Sequence, residues 1–320
     1  MKAFSMKLFL LVAVAASLTP SPALAADPAA IMRRIHDIRG GIIIAAHRGC
    51  HEKAPHHGWG TAPENSREAL LRCATMGVDI METDVRKSRD GHLVIIHDDR
   101  VERTTDGKGL VADLTLAQLR RLHLRENEGG PDAPPTDETL LTLDEILALA
   151  KDRIVLNLDV KDMIYAEVID AVIRAGAQDR VIVKTTAGIG STALASISPY
   201  DKVPFMVIPS TGDPLAGDVP AIITRQMAGR VKPIAMELPY IPVSALPVIA
   251  DSARTEGVRL WVNTLFSGFV LGVGSDTDAL RDPDAIWGRL IRAGVSMFQT
   301  DEPETLIRYR DANAMPASRR

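Results

Sequence analysis

Short, unbroken apolar runs recur along this chain at intervals too close for separate domains and too regular for chance. They are Ile42–Ala46, Val78–Val85, Leu93–Ile96, Ile154–Leu158, Val181–Val183, Val203–Ile208, Pro233–Leu238, Val258–Val262 and Val295–Phe298. Each is too continuous for a strand with one wet face and too short for a helix, which is the pattern of strands buried on both sides. Amphipathic helical stretches lie between many of them. Asn65 with Glu68, and Thr142 with Glu145, have the N-cap to N3 spacing that opens a helix. Asp90-Gly91 in the "SRDGH" stretch predicts a tight hairpin turn. With that hairpin joined to the second strand, eight strands alternate with helices. The pattern predicts an α/β fold, a (β/α)8 TIM barrel with a β-hairpin extension on strand 2. A doubly wound open sheet is the competitor, but the loop after its first strand ordinarily reads G-x-G-x-x-G, and "HRGCHEK" does not.

The N-terminus carries Lys2 and Lys7, an apolar stretch from Leu8 to Ala16, and an Ala23-Leu24-Ala25 step. That order predicts a signal peptide over residues 1–25, removed on export to a periplasmic or secreted location, and a single domain over residues 26–320. The apolar stretch is shorter than the roughly 20 residues a membrane span needs, so no stable membrane insertion is expected. Removing the leader takes the formal net charge from −4 to −6, which excludes an electrostatic case for nucleic acid as a partner. Cys50 falls in the opening loop and Cys73 in a helical stretch, positions that favour two separate thiols over one bridge. Oligomeric state leaves no trace in the sequence.

In a barrel of this kind chemistry gathers at the C-terminal ends of the strands. Those ends are polar here: His47-Arg48, Glu82-x-Asp84, His97-Asp98, Asp159-x-Lys161, Lys184, Glu237, Asn263 and Gln299-x-Asp301. Two-residue spacing on a strand puts both side chains on one face, so Glu82 points with Asp84, and Asp159 with Lys161. Two carboxylates on a buried strand repel each other and are costly to desolvate unless a cation joins them. With Asp159 from the next strand they form an oxygen-rich set suited to one divalent metal ion, Mg2+ or Ca2+. His47 and His97 at the same mouth suit general acid and base work. Arg48, Lys161 and Lys184 would attract an anionic substrate, and Trp261 either walls the substrate or packs. Together these residues point to phosphoryl chemistry.

The stretches "AHRG…APENS", "GVDIMETDVRKSRDGHLVIIHDDRVERTTDGKG", "DLTLAQLRRL", "LNLDVK", "WVNTL" and "FQTDEP" closely resemble the glycerophosphodiester phosphodiesterases. That family has a TIM barrel related to the phosphatidylinositol-specific phospholipases C. The resemblance implies that His47 and His97 are the acid/base pair, that Arg48 and Lys161 hold the phosphodiester, and that Glu82 and Asp84 bind the metal. Glu64, in the PEN motif beside Asn65, would shape the site. The implied reaction releases sn-glycerol 3-phosphate and an alcohol through a cyclic phosphate. The chain departs from the family pattern twice. Asp159 stands where most members have Glu, as it does in the sphingomyelinases D, so a lysophospholipid, a sphingolipid or another phosphodiester is the alternative substrate. The segment "CHEKAPHHGWGT" is inserted between HRG and PEN. It is expected to lie over the mouth, with His51, His56, His57 and Trp59 beside the leaving alcohol.

Overall fold

A computed structural model describes residues 27–313, so the leader expected over residues 1–25 lies outside the described residues. Eight parallel strands close into a barrel. In chain order they are Ile43–Ala46, Ile80–Lys87, Val155–Val160, Val181–Ala187, Phe205–Pro209, Ala235–Glu237, Arg259–Asn263 and Met297–Thr300. The first pairs with both the second and the eighth, which shuts the sheet on itself. Leu93–Ile95 hangs antiparallel on the second strand, with Val85 opposite Ile95 and Lys87 opposite Leu93. Gly91 turns this hairpin at φ +84°, a left-handed geometry that glycine adopts freely. All eight barrel strands and the hairpin coincide with the apolar runs.

The barrel interior follows the strand period of two. Ile43, Ala45, Ile80, Val155, Ile182, Met206, Ala235, Trp261 and Met297 form an apolar layer near the N-terminal ends of the strands. One step further along the same strands, the inward positions become Glu82, Asn157, Lys184, Glu237, Asn263 and Gln299. The residues between them face outward and build the larger core against the helices. The apolar layer is closed from below by a helix absent from the sequence reading, Pro28–His36, whose Ile31, Met32 and Ile35 pack into it. Asp27 caps its first turn, accepting from the Ala29 amide. The buried Arg259 guanidinium donates to the carbonyls of Arg34, Ile35, Asp37 and Gly41 and so ties the helix end to the seventh strand.

Helix starts follow local capping chemistry. Thr142 and Glu145 form the expected reciprocal box at the head of Leu143–Ala150. The helix after the first strand, Arg67–Met76, starts one residue later than Asn65 suggested. Ser66 is its N-cap, accepting from the Ala69 amide, which leaves the Asn65 side chain for the barrel. The cysteines also correct the sequence expectation: Cys50 and Cys73 form a disulfide, with Cα atoms 5.2 Å apart. Arg48 (φ +50°) and Gly49 (φ +87°) fold the chain back onto this helix. A Cβ on Gly49 would lie 2.8 Å from Ala69 Cβ, so only glycine allows the approach. No described helix is long and apolar enough to cross a membrane.

Candidate active site

The strand ends converge on a cavity of about 600 Å³ lined by His47, Arg48, Glu82, Asp84, His97, Asp159, Lys161 and Lys184, together with Glu128, Glu237, Asn263, Gln299 and Asp301. Strand register accounts for the meeting. Asp84 is paired with Asp159, and Glu82 with Asn157, on neighbouring strands. Trp261, singled out from the sequence, does not line the cavity. It has no exposed surface, lies in the apolar layer below, and donates its indole N–H to Asn263 Oδ1 at 2.8 Å. It packs and orients Asn263, which in turn donates to Glu237 at 2.9 Å.

The acidic group is Glu82, Asp84 and Asp159, with ligand oxygens within 4.8 Å of one another. Burial first, and then the charge of Asp84, push Glu82 up. Asp84 is also pushed up by burial, but Lys161, His97, Arg48 and the Asn65 hydrogen bond outweigh it and hold it below the usual carboxylate range. Lys161 Nζ lies 2.9 Å from both Asp84 Oδ1 and Asp159 Oδ2. Lys184 is buried and paired with Glu237 at 2.9 Å. The donor set fits a hard divalent cation: three carboxylates from adjacent strands bring their oxygens together, and the buried Gln299 Oε1, on the lining of the same cavity, has no hydrogen-bond partner.

Each catalytic candidate is backed by a carboxylate. His47 Nδ1 is 2.8 Å from Asp301 Oδ1, and His97 Nδ1 is 2.7 Å from Asp98 Oδ1. Hydrogen bonds and charge from neighbouring imidazoles hold Asp301 low against its burial. Asp98 is brought down to about 2, where Arg103 and His97 overcome a desolvation cost. Both carboxylates are therefore acceptors, so both imidazoles donate from Nδ1 and keep Nε2 for a reacting proton. Burial, aided by Arg48 and Lys161, lowers His97 despite the pull of Asp84.

Arg48 reaches across the mouth. Its amide donates to Glu82 Oε2 at 3.0 Å and its guanidinium to Glu64 Oε2 at 2.8 Å, while its Nε has no hydrogen-bond partner. Asn65, at φ +57°, donates to Asp84 Oδ2 and accepts from the Thr83 hydroxyl. Glu64 and Asn65 thus contact cavity residues from just ahead of the helix Arg67–Met76.

Several participants escaped the sequence reading. Arg103 forks between Glu64 and Asp98, with four contacts of 2.7–2.9 Å. His51 stands behind Asp301. Tyr240, Phe266 and Phe269 form an aromatic wall on one side of the cavity, Tyr240 stacked on Phe269 at 5.5 Å and Phe266 tilted on Phe269 at 4.2 Å. Asp301 is one of the polar strand ends picked out by the sequence; its place behind His47 comes only from the structure. The aromatics sit on loops, where no periodicity marks them.

The inserted loop departs from its expected place. His57 Nδ1 is 2.5 Å from Glu304 Oε1, and the His56 and His57 amides donate to the same carboxylate. Trp59 packs on His57 at 4.6 Å and under Arg72. Glu304, at the head of the last helix Pro303–Asn313, thus draws the loop tip to the outside of the barrel. None of His56, His57 or Trp59 lines the cavity.

The glycerophosphoryl diester phosphodiesterase family model matches residues 47–305. The chain belongs to that family. It is 28% identical over 272 residues to a glycerophosphodiester phosphodiesterase of Caldanaerobacter subterraneus subsp. tengcongensis, a match spanning 83% of this chain and 96% of the relative. Human glycerophosphodiester phosphodiesterase 1 is 38% identical over 110 residues, 34% of this chain and 30% of that one. Among solved structures, a glycerophosphoryl diester phosphodiesterase from Parabacteroides distasonis superposes with a TM-score of 0.69 at 22% identity, covering 92% of this chain and 94% of that one. A phosphodiesterase from Oleispira antarctica, solved with the product sn-glycerol-3-phosphate, superposes at 0.58 with 20% identity, covering 85% and 98%. The fold is therefore the TIM barrel of this family, and the protein is a phosphoric diester hydrolase.

Proposed function

We propose that this protein hydrolyses glycerophosphodiesters to sn-glycerol 3-phosphate and an alcohol. The observation that carries the reading is the facing of two carboxylate-backed imidazoles, His47 and His97, across one cavity that also holds the acidic group and Arg48. The product bound in the Oleispira antarctica phosphodiesterase supports it. Glu82, Asp84 and Asp159 would hold one Mg2+ or Ca2+, which supplies Lewis-acid charge to the phosphate oxygens when bound. Arg48 and Lys161, both on the cavity lining, orient the phosphodiester. One imidazole takes the proton of the glycerol 2-hydroxyl as that oxygen attacks phosphorus, and the other protonates the departing alcohol oxygen. Their roles then reverse as water opens the cyclic phosphate.

The purified protein, given glycerophosphocholine, is expected to release glycerol 3-phosphate and choline, followed by 31P NMR. EDTA abolishes turnover, and His47→Ala lowers it by about 10² to 10⁴. Full activity in that variant would remove His47 from the mechanism. Half-exposed Tyr240 and Phe266 favour a second reading, a leaving group with apolar surface such as that of a lysophospholipid. A higher kcat/KM for lysophosphatidylcholine than for glycerophosphocholine would select it. The leader expected over residues 1–25 would direct export, and the Cys50–Cys73 disulfide suits an oxidising compartment. Fractionation of expressing cells, with the protein retained in the cytosol, would count against this location.

A further inference from the structure

His51 is nearly inaccessible, 1% exposed, on a loop whose other histidines serve the outer surface. Its Nδ1 is 2.6 Å from Asn127 Oδ1 and its Nε2 is 3.3 Å from Asp301 Oδ1. Asn127 Nδ2 donates to Glu52 Oε1 at 2.9 Å, which fixes the amide oxygen toward His51. Asp301 is an ionised acceptor. Both ring nitrogens of His51 therefore face oxygen lone pairs. A neutral imidazole has one N–H and would leave one nitrogen lone pair against an oxygen, so the ring carries both protons. Asp301 Oδ1 then receives two imidazole donors, His51 on one side and His47 on the other.

The surroundings are built for this arrangement. Asn127 is held at φ +53°, with its carbonyl accepting from the Glu64 amide. The His51 amide donates to the Gly49 carbonyl, the Ala62 amide donates to the His51 carbonyl, and the disulfide pins Cys50 next door. Burial opposes a charge on His51, but its bonds to Asp301 and Asn127 and the charges of Asp301 and Glu64 outweigh it, raising the ring to about 9.

We propose that His51 is a positioning residue for the reaction: a standing imidazolium that shares Asp301 with His47 and fixes that carboxylate's direction and charge. With Asp301 already countered by His51, the carboxylate is left to orient His47 through Nδ1. His47 Nε2 is then free to accept and return protons within each turnover. The inserted loop thereby contributes to catalysis from behind the cavity, through Asp301, and touches no substrate.

This inference rests on the proposed phosphodiesterase reading, and its test has an arm independent of activity. In wild-type protein carrying 15N-histidine, NMR at pH 8 is expected to show one imidazole with both ring nitrogens protonated, a signal missing from His51→Gln. In that variant, kcat for glycerophosphocholine falls at least tenfold with KM within twofold, and bound metal stays at one per chain. A neutral His51 at pH 8, an unchanged kcat, or a second metal equivalent lost with His51 would overturn the proposal. A wild-type protein inactive on every glycerophosphodiester would defeat the phosphodiesterase reading, while the ring-nitrogen spectrum would still decide the charge on His51.

Discussion

Asn65 Nδ2 donates to Asp84 Oδ2 at 2.9 Å, from a residue whose backbone is held left-handed at φ +57°. One side chain thus orients a carboxylate of the acidic group and also accepts from the neighbouring Thr83 hydroxyl. Loss of such an outer contact typically costs 10- to 100-fold in metal affinity. Asn65→Gly keeps the backbone unstrained and is expected to weaken metal binding about tenfold, read by calorimetric titration. Asn65→Ala adds the left-handed cost and should also unfold about 1 kcal/mol more easily.

Arg103 joins the PEN segment to the hairpin end by holding Glu64 and Asp98 at once. Arg103→Lys keeps the charge but loses the planar fork, so one of the two carboxylates is released. The expected result is a fall of about tenfold or more in kcat, through loss of the Asp98 support to His97, with the metal retained. Steady-state kinetics with metal analysis checks it. Unchanged kcat would mean that His97 holds its orientation without this bridge.

Asp276 makes stability depend on pH. Burial raises its carboxyl to about 6, against hydrogen bonds from Thr264 and the Asp301 amide that lower it. A folded pKa above the unfolded one means the folded state retains a proton that the unfolded chain releases. Its contribution is fully present below about 4 and is lost as pH rises to about 6, on the order of 3 kcal/mol. Asp276→Asn is expected to flatten this segment of the stability profile, measured by urea unfolding at pH 4, 5, 6 and 7. A wild-type minus variant difference that stays constant across that range would refute it.

The Cys50–Cys73 bridge closes a loop with a sequence separation of 23. Chain-entropy reasoning gives about 3 kcal/mol for such a loop. The double variant Cys50→Ala/Cys73→Ala should lose about that much in chemical denaturation. Equal midpoints for variant and wild type would mean that packing alone holds the loop.

The barrel was legible because every strand is buried on both faces, leaving unbroken apolar runs that end where the cavity begins. The acidic group was legible for a related reason: Glu82-x-Asp84 keeps the strand period, and a buried period-two carboxylate pair has few innocent explanations. What escaped notice depends on contacts between distant segments. Cys50 meets Cys73 because Arg48 and Gly49 reverse the chain in left-handed geometry, which composition does not announce. Asn65 has cap-to-N3 spacing to Glu68, yet Ser66 beside it is the residue whose side chain caps the helix. The destination of the inserted loop was decided by Glu304, more than two hundred residues away, and the aromatic wall sits on loops that follow no period.

The helix Pro28–His36 closes the barrel from below with Ile31, Met32 and Ile35. A channel sealed at one end has a single doorway. Whatever enters the cavity must therefore leave through the opening by which it came in, and substrate, product and water share that one passage.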